Sequence, residues 1–305
     1  MAAQHDLPVA LIIFRRPEVT ARAFAAVRAA RPARLYVIAD GARPGVAGEA
    51  ERVAAARAAT AAVDWPCAVT RLYADGNMGL RARVESGLHV VFATEERAVV
   101  LEDDCVAEPS FFRFCAELLD RYAGDARVMA VSGDNFQGGR APGPFSYGFS
   151  RFPHCWGWAT WRRAWAHYDG AMAGWPELRA GPWLERAAGG RRAARFWRAT
   201  FDAVYAGRVD SWAYRWTYSC WLRGGLTALP AHNLVSNIGV GEGATHTAAN
   251  PFAALPTRPM AFPLRHPPAV VADARADART QRTLFDPGLP TRLARRLRRL
   301  AGARP

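Results

Sequence analysis

The feature that most constrains this chain is the alternation, over its first 135 residues, of short apolar runs with Ala/Arg-rich stretches. PVALIIF is followed by EVTARAFAAVRAAR, RLYVIAD by GEAERVAAARAATAAV, and CAVTRLYAD by LRARVESGLHVVFATE; AVVLEDD then leads into SFFRFCAELLDRYAG and VMAVSGD. Short apolar runs bounded by turn residues read as strands, and the longer stretches between them read as helices. A chain that repeats this unit builds a mostly parallel sheet with helices on both faces, so the predicted fold class is α/β and Rossmann-like. Ligands of such sheets bind beyond the carboxyl ends of the strands. Those ends carry Asp40-Gly41, Asp75-Gly76-Asn77, Glu102-Asp103-Asp104 and Ser132-Gly133-Asp134.

After residue 135 the composition changes, and ten of the 11 tryptophans lie between Trp156 and Trp221. Bulky amphipathic rings replace aliphatic strand cores, which predicts a division between a nucleotide-binding half, 5–135, and an aromatic acceptor half, 136–250, of one domain. Residues 251–290 are rich in Pro and Ala and read as a loop-like wrap, leading to a basic tail at 291–305.

All 40 basic residues are Arg, against 27 acids, giving a formal charge of +13. Six of those arginines lie in the tail TRLARRLRRLAGARP, where Leu293, Leu297 and Leu300 fall on one helical face. Such a helix fits an anionic membrane surface; a frayed, solvated tail fits equally. No helix-turn-helix, zinc-finger or RNA-recognition signature accompanies the charge, so no nucleic-acid partner is expected. The run VALIIF is far shorter than the roughly 20 residues of a membrane span and has no basic segment before it. The expected location is cytoplasmic, and peripheral at the inner membrane face where the tail is membrane-bound rather than solvated. Five cysteines without a C-x-x-C pair indicate neither a disulfide frame nor a zinc site, and read as reduced and mostly buried.

The apolar run AVVL ends in three acids, Glu102, Asp103 and Asp104. Were the strand to continue, Glu102 and Asp104 would share one side, their Cα atoms roughly 6 to 7 Å apart, with Asp103 on the other. One carboxylate could then bind a cation while the other holds a metal water or a sugar hydroxyl. Mg²⁺ or Mn²⁺ is commonly held this way, by one or two carboxylates, waters and substrate phosphate oxygens. The competing reading is a helix N-cap by Asp104 or Ser110 before SFFRFCAELL.

With these segments together, the chain resembles bacterial glycosyltransferases of the GT-A type, nucleotide-diphospho-sugar transferases that share features with N-acetylglucosaminyltransferase I. The resemblance spans roughly residues 8 to 250 and rests on the order of IIFRRPE, VIADGARP, GNMGL, VVLEDDCVAEPSFF, HCWGWATWRRAW, DSWAYRW and SNIGVGEGATHT. It implies a D-x-D motif in Glu-Asp-Asp form, with Asp104 as metal ligand and Glu102 and Asp103 near the ribose and metal waters. It further implies that Asp40 reads the nucleotide base, that Arg16 shapes the nucleotide pocket, and that Asn77 and Gly79 lie near the donor, the competing reading of the last two being an ordinary turn. The family's first strand-to-helix turn commonly reads Phe-Asn-Arg-Pro, where this chain has Arg15 in place of Asn.

Sugar transfer with inversion needs charge stabilisation on the departing diphosphate, which a divalent cation supplies, and a carboxylate to take the acceptor proton. Asp210, in VDSWAYRW beside Trp212, Tyr214 and Trp216, fits that base if the aromatics desolvate it; a helix N-cap is the alternative. Relatives often carry a further acid where this chain has Ala213, so Asp210 is the sole acid of the motif. Trp156 and Trp158 flank Gly157, a spacing that lets two large rings approach, and one of the two rings is expected to touch substrate. His246, after the glycines at 239, 241 and 243, matches a family position reaching the metal or diphosphate, or is an exposed residue. His154 and His232 read as ordinary polar residues. The expected activity is thus an inverting, metal-dependent glycosyltransferase with a nucleotide-diphospho-sugar donor and a surface-glycan or lipid-linked acceptor. Its rivals are a nucleotidyltransferase acting on sugar phosphates and a nonenzymatic sugar- or membrane-binding protein on a degenerate scaffold.

Overall fold

The structure, a computed structural model, describes residues 6–140, 143–239, 252 and 254–286. The first half follows the alternation read from the sequence: β1 (Val9–Ile13), α1 (Pro17–Ala30), β2 (Arg34–Ala39), α2 (Glu49–Ala58), β3 (Ala68–Tyr73), α3 (Leu80–Thr94) and β4 (Arg97–Glu102). A short β5 (Cys105–Ala107), α4 (Ser110–Arg121) and β6 (Val128–Ser132) complete it. The second half contributes β7 (Tyr147–Ser150), β8 (Trp158–Trp161), α5 (Arg162–Trp165), α6 (Trp175–Leu178), α7 (Trp183–Ala188), α8 (Arg191–Tyr205), α9 (Trp212–Leu222), β9 (Leu226–Pro230) and β10 (Val235–Asn237).

Eight strands form one sheet in the order β3-β2-β1-β4-β8-β6-β9-β7, and β10 pairs with β5 in a separate two-stranded ribbon. β1 pairs in parallel with β2 and β4, β2 with β3, and β6 with β9, while β8 and β7 run antiparallel to their neighbours. The sheet is therefore mostly parallel, and its helices cover both faces. β1 is buried at all five positions, as expected of a strand covered on both sides. β3, at the edge, is largely exposed. α1 starts at Pro17, whose fixed φ and missing N–H suit a first helical position.

β8, in the centre of the sheet between β4 and β6, comes from WATW, which the sequence reading did not recognise as a strand. Its side chains alternate between the two faces. Trp158 stacks on Trp212 of α9 at 5.6 Å, and Trp161 donates its indole N–H to the Leu119 carbonyl of α4 at 3.0 Å. The rings thus fill the layers on both sides of the sheet. A second core under α7, α8 and α9 is also aromatic, built on Phe152, Trp175, Trp197, Phe201, Tyr218 and Trp221. Most tryptophans of the second half are thus core residues.

The segment after residue 251 is loop-like over 254–271 but not throughout. It forms α10 (Ala274–Thr280), capped by the Asp273 side chain, and continues into a π-helical turn, Gln281–Phe285. Asp277 of α10 is buried and accepts from Ser150 Oγ at 2.5 Å and Arg151 Nε at 2.9 Å, which binds the segment to β7. All five cysteines are free, three of them buried. Among the described residues no helix is long and apolar enough to cross a membrane. The tail at 291–305 and His246 lie outside the described residues.

Candidate active site

Register aligns the strand ends that build the site. Ile12 pairs with Ile38 on one side and with Glu102 on the other, so the ends of β1, β2 and β4 reach one edge of the sheet together. A cavity of about 1490 Å³ opens there. It exceeds the roughly 300 to 1000 Å³ usual for one small-molecule site, leaving room for more than one substrate group. Arg16, Asp40, Asn77, Gly79, Glu102, Asp103, Asp104 and Trp156 all line it.

The acid triplet does not keep the alternation expected of a strand. β4 stops at Glu102, and Asp103 and Asp104 occupy a turn that aims both at Arg16. Arg16 Nε donates to Asp103 Oδ2 at 3.3 Å, and Nη2 donates both to Asp103 Oδ1 and to Asp104 Oδ2, the latter at 2.9 Å. Burial alone would lower the Arg16 pKa, but Asp103 and Asp104 outweigh it and hold the guanidinium charged. One arginine faces three carboxylates. Burial, reinforced by Asp104 and Asp103, pushes Glu102 up to about 8. Asp104 also accepts from Asn237 Nδ2 at 3.2 Å, and its carbonyl accepts from Ile238 N at 2.8 Å. A Cβ on Gly239 would lie 2.1 Å from Asp104 Oδ2, so only glycine permits this approach. Asp104 is no helix cap, because Glu108 accepts the Ser110 N–H at 2.8 Å in front of α4.

These residues fit a hard cation of the Mg²⁺ or Mn²⁺ kind. The donors are all carboxylate oxygens, three carboxyl groups set beside one guanidinium. Among the described residues no group of three or more His, Cys, Asp or Glu side chains is placed to hold a metal ion by itself. An open site, completed by substrate phosphate and water, needs only one or two of them.

Asp40 is saturated by its own neighbourhood. Its Oδ1 accepts from Gly41 N and Met78 N, both at 2.9 Å, and its Oδ2 from Asn77 Nδ2 at 2.9 Å and Gly79 N at 3.0 Å. The carboxylate fixes the Asn77–Gly79 loop against the end of β2 and thereby ties three expected site residues together. Arg15, at the place of the family's Asn, pairs with the fully buried Glu49 at 2.7 Å. Arg43 holds the same carboxylate, and its hydrogen bonds lower Glu49 to about 2.

Asp210 departs from expectation in its surroundings. Its side chain is 56% exposed and accepts from Arg81 Nε at 2.6 Å, so the aromatics of α9 do not desolvate it. It stands beside Gly79, on which a Cβ would be 3.9 Å from Asp210 Oδ2. The cap of α9 is Ser211, which accepts from Tyr214 N. Trp156 is half-buried on the cavity wall, whereas Trp158 is 1% exposed within the core. Gly157 has φ +74, and a Cβ there would meet Val235 Cγ2 at 2.6 Å; the close approach it allows is to β10, not between two rings.

Two cavity residues had no role in the sequence reading. Asp134, just past β6, is 1% exposed; burial raises its pKa well above the carboxylate range, against the Trp156 N–H, which lowers it. His154 is 5% exposed, and burial lowers it to about 3. A strand-end position was the only available signal for Asp134. Nothing in RFPHCW distinguishes His154 from a surface histidine.

No protein-family model matches this chain, and no curated protein matches it. Among solved structures, one of UDP-glucose pyrophosphorylase complexed with UDP-glucose is similar over 44% of this chain and 66% of that chain, at 10% identity and a TM-score of 0.26.

Proposed function

We propose that this chain is an inverting glycosyltransferase that moves a sugar from a nucleotide-diphosphate donor onto a hydroxyl of a surface-glycan or lipid-linked acceptor. The observation that carries this reading is the position of Glu102, Asp103 and Asp104 at the carboxyl edge of a parallel sheet, inside a cavity large enough for donor and acceptor together. Asp104 would hold Mg²⁺ or Mn²⁺, with Asp103 and Glu102 at its waters or at the ribose. The cation supplies Lewis-acid stabilisation of the departing diphosphate. Arg16 adds a fixed positive charge beside the same oxygens, suited to the developing charge. The Asp40-anchored loop presents Asn77 and Gly79 to the donor. Asp210, exposed at the side of Gly79, would take the acceptor proton, and an acceptor that covers it raises its basicity by desolvation.

Arg16 in the first strand-to-helix turn also favours a second reading, nucleotidyl transfer, since a cation there could serve an attacked α-phosphate. The products separate the two. With uridine, guanosine and thymidine diphosphate sugars and Mn²⁺ or Mg²⁺, a glycosyltransferase releases nucleoside diphosphate; a nucleotidyltransferase instead makes or consumes pyrophosphate. Asp104→Ala is expected to lose metal-dependent donor binding, while Asp210→Asn keeps binding and loses transfer. Normal transfer by Asp210→Asn removes the proposed base. Failure of every nucleotide sugar to bind with either metal refutes the class.

A further inference from the structure

Beyond the metal and nucleotide residues, the cavity contains a second polar group set into an aromatic wall. Asp134 uses one carboxylate oxygen to hold the opposite segment: Oδ2 accepts from Trp156 N at 3.0 Å and from Ser132 Oγ at 3.5 Å. Its other oxygen, Oδ1, is buried without a hydrogen-bond partner among the described residues, and so is Nε2 of His154. Phe136 lies edge-on to His154 at 4.7 Å and to Trp156 at 5.2 Å. All four residues line the cavity. A buried polar atom left unpaired is destabilising, and two on residues lining one cavity point to a ligand that supplies the missing bonds. Flat rings with a few fixed polar atoms match a sugar ring, which has apolar C–H faces and hydroxyls that both donate and accept.

We propose that Asp134 and His154 bind hydroxyl groups of a hexose ring seated against Phe136 and Trp156, forming a carbohydrate subsite separate from the metal-side acids. One hydroxyl hydrogen-bonds Asp134 Oδ1, and a second bonds His154 Nε2, whose burial keeps the imidazole neutral. This rests on the glycosyltransferase reading for its biological role, but the subsite itself is defined by sugar binding. The ring belongs either to the donor or to the acceptor, and the same chemistry serves both.

The test compares wild type with Asp134→Asn and His154→Phe by calorimetry, using uridine and guanosine diphosphates, their glucose conjugates, and methyl glucoside and galactoside. The expected result is at least a tenfold loss of affinity for sugar-bearing ligands in both variants, with less than a twofold change for the sugar-free diphosphates. A loss confined to the nucleotide sugars assigns the donor ring; a loss confined to the methyl glycosides assigns the acceptor ring. Equal losses with and without sugar, or no loss, overturn the subsite. If no nucleotide binds wild type, the proposed function falls while the glycoside measurements still decide the subsite, and absence of all glycoside binding as well overturns both. Should Asp134→Asn not fold, His154→Phe decides, because it leaves the Asp134 bond to Trp156 intact.

Discussion

The acids after β4 and Asp210 before α9 bring the same functional group into opposite surroundings. Asp103 and Asp104 are less than one-tenth exposed and share Arg16, whereas Asp210 is 56% exposed and pairs with Arg81. Close carboxylate–guanidinium contacts hold both groups, yet only the first set is taken out of water. A buried ion pair is governed by desolvation, so breaking it leaves an uncompensated charge; an exposed pair is screened, and solvent replaces the lost partner. The difference separates a preorganised charge site from one that substrate must complete.

Replacing Arg16 should break the buried side most severely. Arg16→Ala leaves Asp103 buried and unpaired and is expected to lower stability by about 3 to 5 kcal/mol in urea unfolding. Added Mn²⁺ should recover part of that loss by binding the folded state. Recovery without Asp104, in the Arg16→Ala/Asp104→Ala double variant, would place the cation elsewhere. Next in size, Asp104→Ala should weaken Mn²⁺-dependent donor binding on the order of 100-fold, or about 2.7 kcal/mol, with little change in metal-free nucleotide binding.

Burial and exposure should also differ in their response to pH. His154 titrates near 3 when folded and near 6.5 when unfolded, so the unfolded chain takes up the proton first. The stability due to neutral His154 is complete above pH 6.5 and falls as pH drops toward 3, with about 2 kcal/mol lost by pH 5. Urea midpoints at pH 7.5 and 5.0 should therefore fall less in His154→Phe than in wild type; an equal fall would contradict the buried, neutral imidazole. The smallest effect belongs to Asp210. Asp210→Asn should change stability by less than about 1 kcal/mol, the range of an exposed ion pair, while abolishing transfer. A larger destabilisation would place Asp210 among the structural charges, and the contrast with the β4 acids would vanish.

The same division between local and distant causes accounts for what could be read from the chain. β1 to β4 and α1 to α4 are written in periodicity, because β1, β2 and β4 are covered on both faces and each helix packs through its own repeat. β8 escaped that reading. Four residues bounded by tryptophans carry too little periodicity, and only insertion between β4 and β6 makes them a strand. α10 escaped for a similar reason: ARADART has little apolar pattern, and Asp277 bonding to Ser150 and Arg151 is what holds it. At the site, strand-end punctuation marked Asp40, the acid triplet and Asp134 as residues of one edge. It could not show that Asp40 would be saturated by the 77–79 loop.

The sequence by itself determined a mostly parallel α/β sheet and the edge of that sheet where acids collect, since both follow from strand period and from which residues end each run. Only the tertiary structure decided that Asp103 and Asp104 turn together onto Arg16, that most tryptophans pack as core, and that Asp210 is exposed while Asp134 and His154 are buried. Those outcomes depend on neighbours far apart in the chain, Arg16 with Asp104 and Asp134 with Trp156. A carboxylate's charge, partners and hydration are properties of its surroundings, and local pattern carries no record of them.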